Sequence, residues 1–242
     1  MSADNNTYIA FPSSPELREL SRRLIQNLVN GVPEPQHELV SRIMLDFTDE
    51  LLKVFLLDMI EVVKLTPLME KLVHGTVNTI RSTVHSVTRT IVHRLDKGQL
   101  RQLGDYIRKL MLTVPGPDGL PQPWVGFPID AGFELRVRRV IGGLQSDTPN
   151  TQVPELVAVL CSISDRAIQV YVVQPIELIR LGFVLRKVAD GGARVISGAI
   201  HMLIRRLVPD LNKQQYRDLA TYLQGMLITN PELEPGTAFR SS

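Results

Sequence analysis

Cysteine is almost missing from this chain: Cys161 is the only one in 242 residues. That excludes an internal disulfide framework and a cysteine-rich zinc site. An excess of charge of one sign is missing too. Lysine and arginine number 27 against 25 acidic residues, for a net charge of +2. Such a chain exerts no general pull on nucleic acid or an anionic membrane, so any contact of that kind must come from a local patch. Long uncharged apolar runs are also absent. Leu51–Leu65 carries Lys53, Asp58, Glu61 and Lys64, and Ala167–Leu185 carries Glu177, Arg180 and an internal Pro175. Charges at mid-span argue against a transmembrane helix. The opening MSADNNTYIAFPSS lacks the basic and apolar regions of a secretory signal. The expectation is a soluble, cytoplasmic protein in a reducing compartment.

Signatures of known chemistry are lacking as well. There is no G-x-S-x-G, no phosphate-binding glycine loop, no dinucleotide fingerprint and no H-E-x-x-H. Gly191–Gly192 falls in a helical context. Glu70 and His74 stand four apart, but Arg186 and Asp190 replace them in the second half, which does not suit a metal pair. No cofactor, metal or catalytic residue is assigned. Cys161, in an apolar stretch, reads as a small core hydrophobe.

What the sequence does contain is a repeat. Residues 8–115 align with 124–231 at a constant offset of 116, without a gap, and 27 of the 108 positions are identical. Chance would give roughly seven for chains of this composition. YIAFP faces WVGFP, IEVVKL faces IELIRL, and DKGQLRQLGDYI faces NKQQYRDLATYL. A period this long means a two-copy duplication, not a solenoid. The expected organisation is a first repeat over 1–115, a Pro/Gly linker over 116–123, a second repeat over 124–231, and a loose tail over 232–242.

Each repeat reads as four helices, near 15–30, 37–65, 67–95 and 96–112, and their counterparts. Helix three has an apolar stripe of Val73, Val77, Ile80, Val84, Val87 and Ile91 at spacings of three and four. Asp96 with Gln99, and Asn212 with Gln215, form capping-box patterns. Phe11 and Phe127 read as aromatic plugs before helix one. Pro175 is expected to kink its helix. Strand signals are weak. The expected fold is all-α, a tandem-duplicated bundle whose two four-helix halves pack about a pseudo-two-fold axis, as an ancestral dimer would.

The candidate interaction surface is the outer stripe of helix three: Lys71, His85 and Arg89 in one repeat, and Lys187, Arg194, His201 and Arg205 in the other. Glycines among them would admit a partner backbone closely. Glu61 with Lys64, and Glu177 with Arg180, recur as acid–base pairs at i, i+3, suited to a salt bridge between halves or to a pocket mouth. Asp49 and Asp165, each after a hydroxyl residue, recur in mid-helix. The functional expectation is a non-enzymatic binding protein whose protein partner docks on the helix-three surfaces. The alternatives are a carrier of an apolar, acyl- or isoprenoid-like molecule held between the halves, an enzyme with a symmetric site on the dyad, and attachment to anionic lipid. Nucleic acid is not an expected partner, and a homodimer is one option.

Overall fold

The computed structural model describes residues 6–32, 36–116 and 118–233. In chain order the elements are β1 Thr7–Pro12, α1 Pro15–Val29, α2 His37–Leu52, α3 Asp58–Val63, α4 Pro67–Ile91, α5 Lys97–Leu110, β2 Met111–Pro115, β3 Pro121–Ile129, α6 Ala131–Leu144, α7 Val153–Ile168, α8 Gln174–Leu178, α9 Phe183–Leu207, α10 Lys213–Gly225, β4 Leu227–Thr229 and β5 Glu232–Leu233.

Local chemistry sets the helix starts. Ser14 accepts the Leu17 N–H at 3.1 Å, with Pro15 in the first turn, and Asp130 accepts the Phe133 N–H at 2.8 Å. Thr66 accepts the Met69 N–H ahead of α4. Asp96–Gln99 and Asn212–Gln215 close reciprocal capping boxes at α5 and α10. Gly182 begins α9 without a side-chain cap.

The helical runs that begin at His37 and Val153 are interrupted in the same way. A single π turn, Lys53–Leu57, joins α2 to α3, and Gln169–Val173 joins α7 to α8. The expected proline kink needs revising here. The first π turn forms with Met59 where the second has Pro175, so proline is not its cause. Each run then ends in a left-handed residue, Lys64 (φ 51°) and Arg180 (φ 48°), which turns the chain toward α4 or α9.

The all-α expectation holds for most of the chain and fails at its edge. Five strands form one sheet in the order β4-β1-β3-β2-β5. β1 and β3 run antiparallel with Ala10 opposite Gly126. A Cβ on Gly126 would come within 2.5 Å of the Ala10 Cβ, so this pair tolerates only the smallest residue on one side. The stretch read as a linker is a β-hairpin: β2 pairs with β3, and Gly116 N–H donates to Leu120 O at 2.8 Å across a turn in which Gly119 has φ 75°. Its prolines exclude helix as expected, but they do not exclude strand. Residues 232 and 233, placed in the loose tail by the sequence, pair with β2 as β5. The rest of that tail, 234–242, lies outside the described residues.

Phe11 and Phe127 lie on β1 and β3 and are almost wholly buried. Phe11 meets Phe55 edge-on, and Phe127 meets Tyr171 edge-on. They anchor the sheet on the two π turns. On the far side α4 lies along α9. That contact depends on Gly192, where a Cβ would stand 2.8 Å from Val87 Cγ2.

Two exchanges of hydrogen bonds tie residues 8–115 to 124–231. The Tyr106 hydroxyl donates to Val170 O at 2.7 Å, and the Tyr222 hydroxyl donates to Val54 O at 2.5 Å. The acceptors are carbonyls of the opposite π turn. Gln99 Nε2 donates to Ile179 O at 2.7 Å, and Gln215 Nε2 donates to Lys64 O at 3.1 Å. Each glutamine thus completes its own capping box and also satisfies a carbonyl at the end of the other half's helix.

Candidate binding cavity between the halves

Between the sheet and the α4–α9 pair lies a cavity of about 310 Å³. Both halves line it. Phe47, Leu51 and Phe55 come from one, and Ile163, Ala167 and Tyr171 from the other, with Ile80 and Ile196 on the α4–α9 side. The helical run Pro149–Leu178 is long and apolar enough by length and composition to cross a membrane. Leu160, Ile163, Ala167, Ile168 and Ile176 of this run line the cavity.

The few polar groups in the wall are mostly occupied. Thr48 Oγ1 donates to Met44 O at 2.7 Å, and Ser164 Oγ donates to Cys161 O at 2.8 Å, each within its own helix. The Tyr106 and Tyr222 hydroxyls are held by carbonyls across the halves. Tyr106 also lies 2.7 Å from Gln174 Oε1, so its single proton serves one acceptor at a time. Burial pushes both phenols up to about 12. Two wall residues carry buried hydroxyls that find no protein partner, Thr88 and Tyr171. Burial raises the Tyr171 phenol further still. An unmet buried hydroxyl costs roughly 1–3 kcal/mol.

A second, wider depression lies outside the sheet, lined by Glu50, Lys53, Asp58, Trp124, Asp218 and Tyr222 among others. Ser14 N–H donates to Glu50 Oε1 at 3.2 Å, and burial pushes this carboxyl above its ordinary value. Lys53 Nζ pairs with Asp58 at 2.7 Å.

Of the charged residues singled out by sequence, Lys64 lines this second depression and the others lie elsewhere. Lys71, His85, Arg89, Lys187, Arg194 and Arg205 are exposed on α4 and α9, and none of them lines either cavity. His201 is half-buried, with Nε2 2.9 Å from Asp165 Oδ1. Asp165 accepts from Ser197 Oγ at 3.2 Å, and in the first half Asp49 pairs with Arg81 at 2.8 Å. These aspartates pin helix two to helix three in each half. His85, Arg89, His201 and Arg205 line neither of these two cavities. Among the described residues no ion pair joins Glu61 to Lys64 or Glu177 to Arg180. Glu177 lies 3.8 Å from Arg186 instead, because Lys64 and Arg180 sit in the left-handed turns, beyond the helical spacing that would bring each pair together. It is the backbone at these turns, not the charges, that joins the halves. Among the described residues no three His, Cys, Asp or Glu side chains converge as a metal site requires.

Sequence reasoning missed Tyr171, Thr88, Phe47 and Phe55 as cavity residues. Only the apolar, all-round character of helix two hinted at them.

Set against protein-family models, curated proteins and solved structures, the chain gives no match.

Proposed function

We propose that this protein is a duplicated helical bundle that holds one long apolar molecule, of acyl or isoprenoid type, between its halves. The cavity of about 310 Å³ with its aliphatic and aromatic wall carries this reading. It is at the lower end of the roughly 300–1,000 Å³ typical of ligand pockets, and about twice the ~150 Å³ of an apolar cavity known to stay dry and take up benzene. At ~24 cal/mol per Å³, leaving it empty would cost about 7 kcal/mol, comparable with the whole stability of many domains. An occupant recovers that energy.

The duplication and its two-fold axis belong to the same proposal. The π turns at 53–57 and 169–173, the helices at 67–91 and 183–207, and the left-handed residues 64 and 180 each recur at the offset of 116. Ala10 and Gly126, which face each other in the sheet, are also 116 apart. The axis then passes between β1 and β3 at one end and α4 and α9 at the other, with the cavity on it. A cavity on a two-fold axis admits a ligand from equivalent sides, which suits an extended, chemically simple chain.

The test is to compare native and denatured masses of the purified protein and to analyse its organic extract. One apolar molecule per chain, released on denaturation, is the expected result. A clean ligand-free mass, together with no change in melting on adding palmitate or farnesol, overturns the reading.

A further inference from the structure

α9 presents an unusual outer face. Val184, Val188, Val195 and Met202 are exposed, with Gly191 and Gly198 between them and open space over both glycines. The spacings alternate between four and three, so these six positions form one straight line about 27 Å long. Phe183, 73% exposed, extends it at the N-terminus with Lys187 over its ring at 4.4 Å; Val184 is 68% and Met202 53% exposed. Lys187, Arg194 and Arg205 flank the line. α9 holds five basic residues against one acidic, and α4 three against one. These two helices therefore carry +6, while the whole chain carries +2. Their inner faces, through Val84 and Ile200, line the cavity, so their outer faces look the other way on one side of the molecule.

The geometry points to an anionic lipid bilayer as the occupant of this face, bringing the cavity beneath it to the membrane from which its apolar ligand is exchanged. The exchange step rests on the ligand reading above; the docking does not. A ridge of apolar side chains flanked by lysine and arginine is the pattern of a helix lying in a membrane interface. A second copy of the chain is disfavoured, because two such basic faces repel. An acidic protein would need a groove or pocket to fix its register, and the line is a ridge.

The full chain is to be floated with vesicles of phosphatidylcholine alone, and of phosphatidylcholine with phosphatidylserine. Binding is expected only to the second, and is expected to fall steeply as salt shortens the screening length from about 10 Å at 0.1 M to about 3 Å at 1 M. The triple variant Lys187→Gln, Arg194→Gln, Arg205→Gln is expected to bind about a hundredfold more weakly, at roughly fivefold per charge, with melting lowered only by loss of the Arg205 contact with Cys161. Val195→Asp with Met202→Asp is expected to abolish flotation. Neutralising the exposed Arg23, Arg101 and Lys109, on other helices, is expected to change it little. Absence of flotation at low salt, or an equal loss in this control, overturns the docking. Intact vesicle binding by the first triple variant overturns it too, and leaves the face to a protein. If vesicles are not bound but an apolar molecule is still released on denaturation, the docking fails and the cavity reading stands. If vesicles are bound and no ligand is ever found, the docking stands and the exchange fails.

Discussion

Ala167 offers a direct measurement of the cavity. It lines the space from α7, and the position 116 residues earlier is Leu51, which lines it from α2. Ala167→Leu therefore gives the second half the side chain that the first already carries. The change adds three carbons to a space of about 310 Å³. Burying them contributes about 2.4 kcal/mol at ~0.8 kcal/mol per methylene, and ordering the leucine returns about 0.5–1 kcal/mol. The net expectation is about 1.5–2 kcal/mol of stabilisation in ligand-stripped protein. That corresponds to a melting point raised by roughly 3–8 °C in a chain of this size. Urea unfolding of stripped wild type and variant reads the difference, and the mass of the released molecule reads the other half of the argument. The variant should retain less ligand, or a shorter one. Destabilisation by about 1 kcal/mol or more would be the signature of overpacking, and would refute both the empty space and the function built on it.

The two tyrosine bridges should differ in strength. At Val170 the residue five positions on is Pro175, which has no N–H, so Tyr106 supplies the hydrogen that a π turn would otherwise provide; in the first half Met59 keeps its N–H opposite Val54. Tyr106→Phe is therefore expected to cost about 1–3 kcal/mol, and Tyr222→Phe nearer 0.5–1.5 kcal/mol, in denaturant titrations. Equal costs would contradict this account. The same phenols set an alkaline limit. Burial raises both from an ordinary value of 10.0 to about 12, so the unfolded chain ionises first. The contribution of these two phenols is therefore flat below pH 10 and falls as pH rises from about 10 toward 12. Each Tyr→Phe variant should show a shallower fall, and an unchanged slope would exclude these two residues as the cause.

The helices were legible because their signals are local: caps at Thr66, Asp96 and Asn212, and three–four periodicity along α4 and α9. The sheet was not. β1 is six residues long, β4 and β5 are shorter, and β3 begins Pro-Gln-Pro, so neither clean alternation nor a turn dipeptide marks them. Apart from the β2–β3 hairpin, their pairing comes from residues more than a hundred positions apart. The π turns escaped for another reason: one extra residue per turn leaves apolar periodicity nearly intact over so short a stretch. The cavity was illegible in principle, since Leu51 or Ile163 looks the same facing a void as facing a neighbour. The conserved-looking stripes at His85 and His201 drew attention because the copies agree there. The structure leaves His85 exposed and His201 half-buried, 2.9 Å from Asp165.

The strand order also constrains how the chain is made. β1, which precedes every other element described above, pairs with β3 on one edge and with β4 on the other. Thr7 thus waits for Thr229. At translation rates of about 5–20 residues per second, that interval lasts roughly 10–45 s. Throughout it Ile9, Ala10 and Phe11 remain an unpaired apolar edge on the nascent polypeptide, available to any other strand nearby. Translation speed and holding factors therefore bear on the yield of this protein more than on that of a helical bundle whose neighbours are adjacent in sequence.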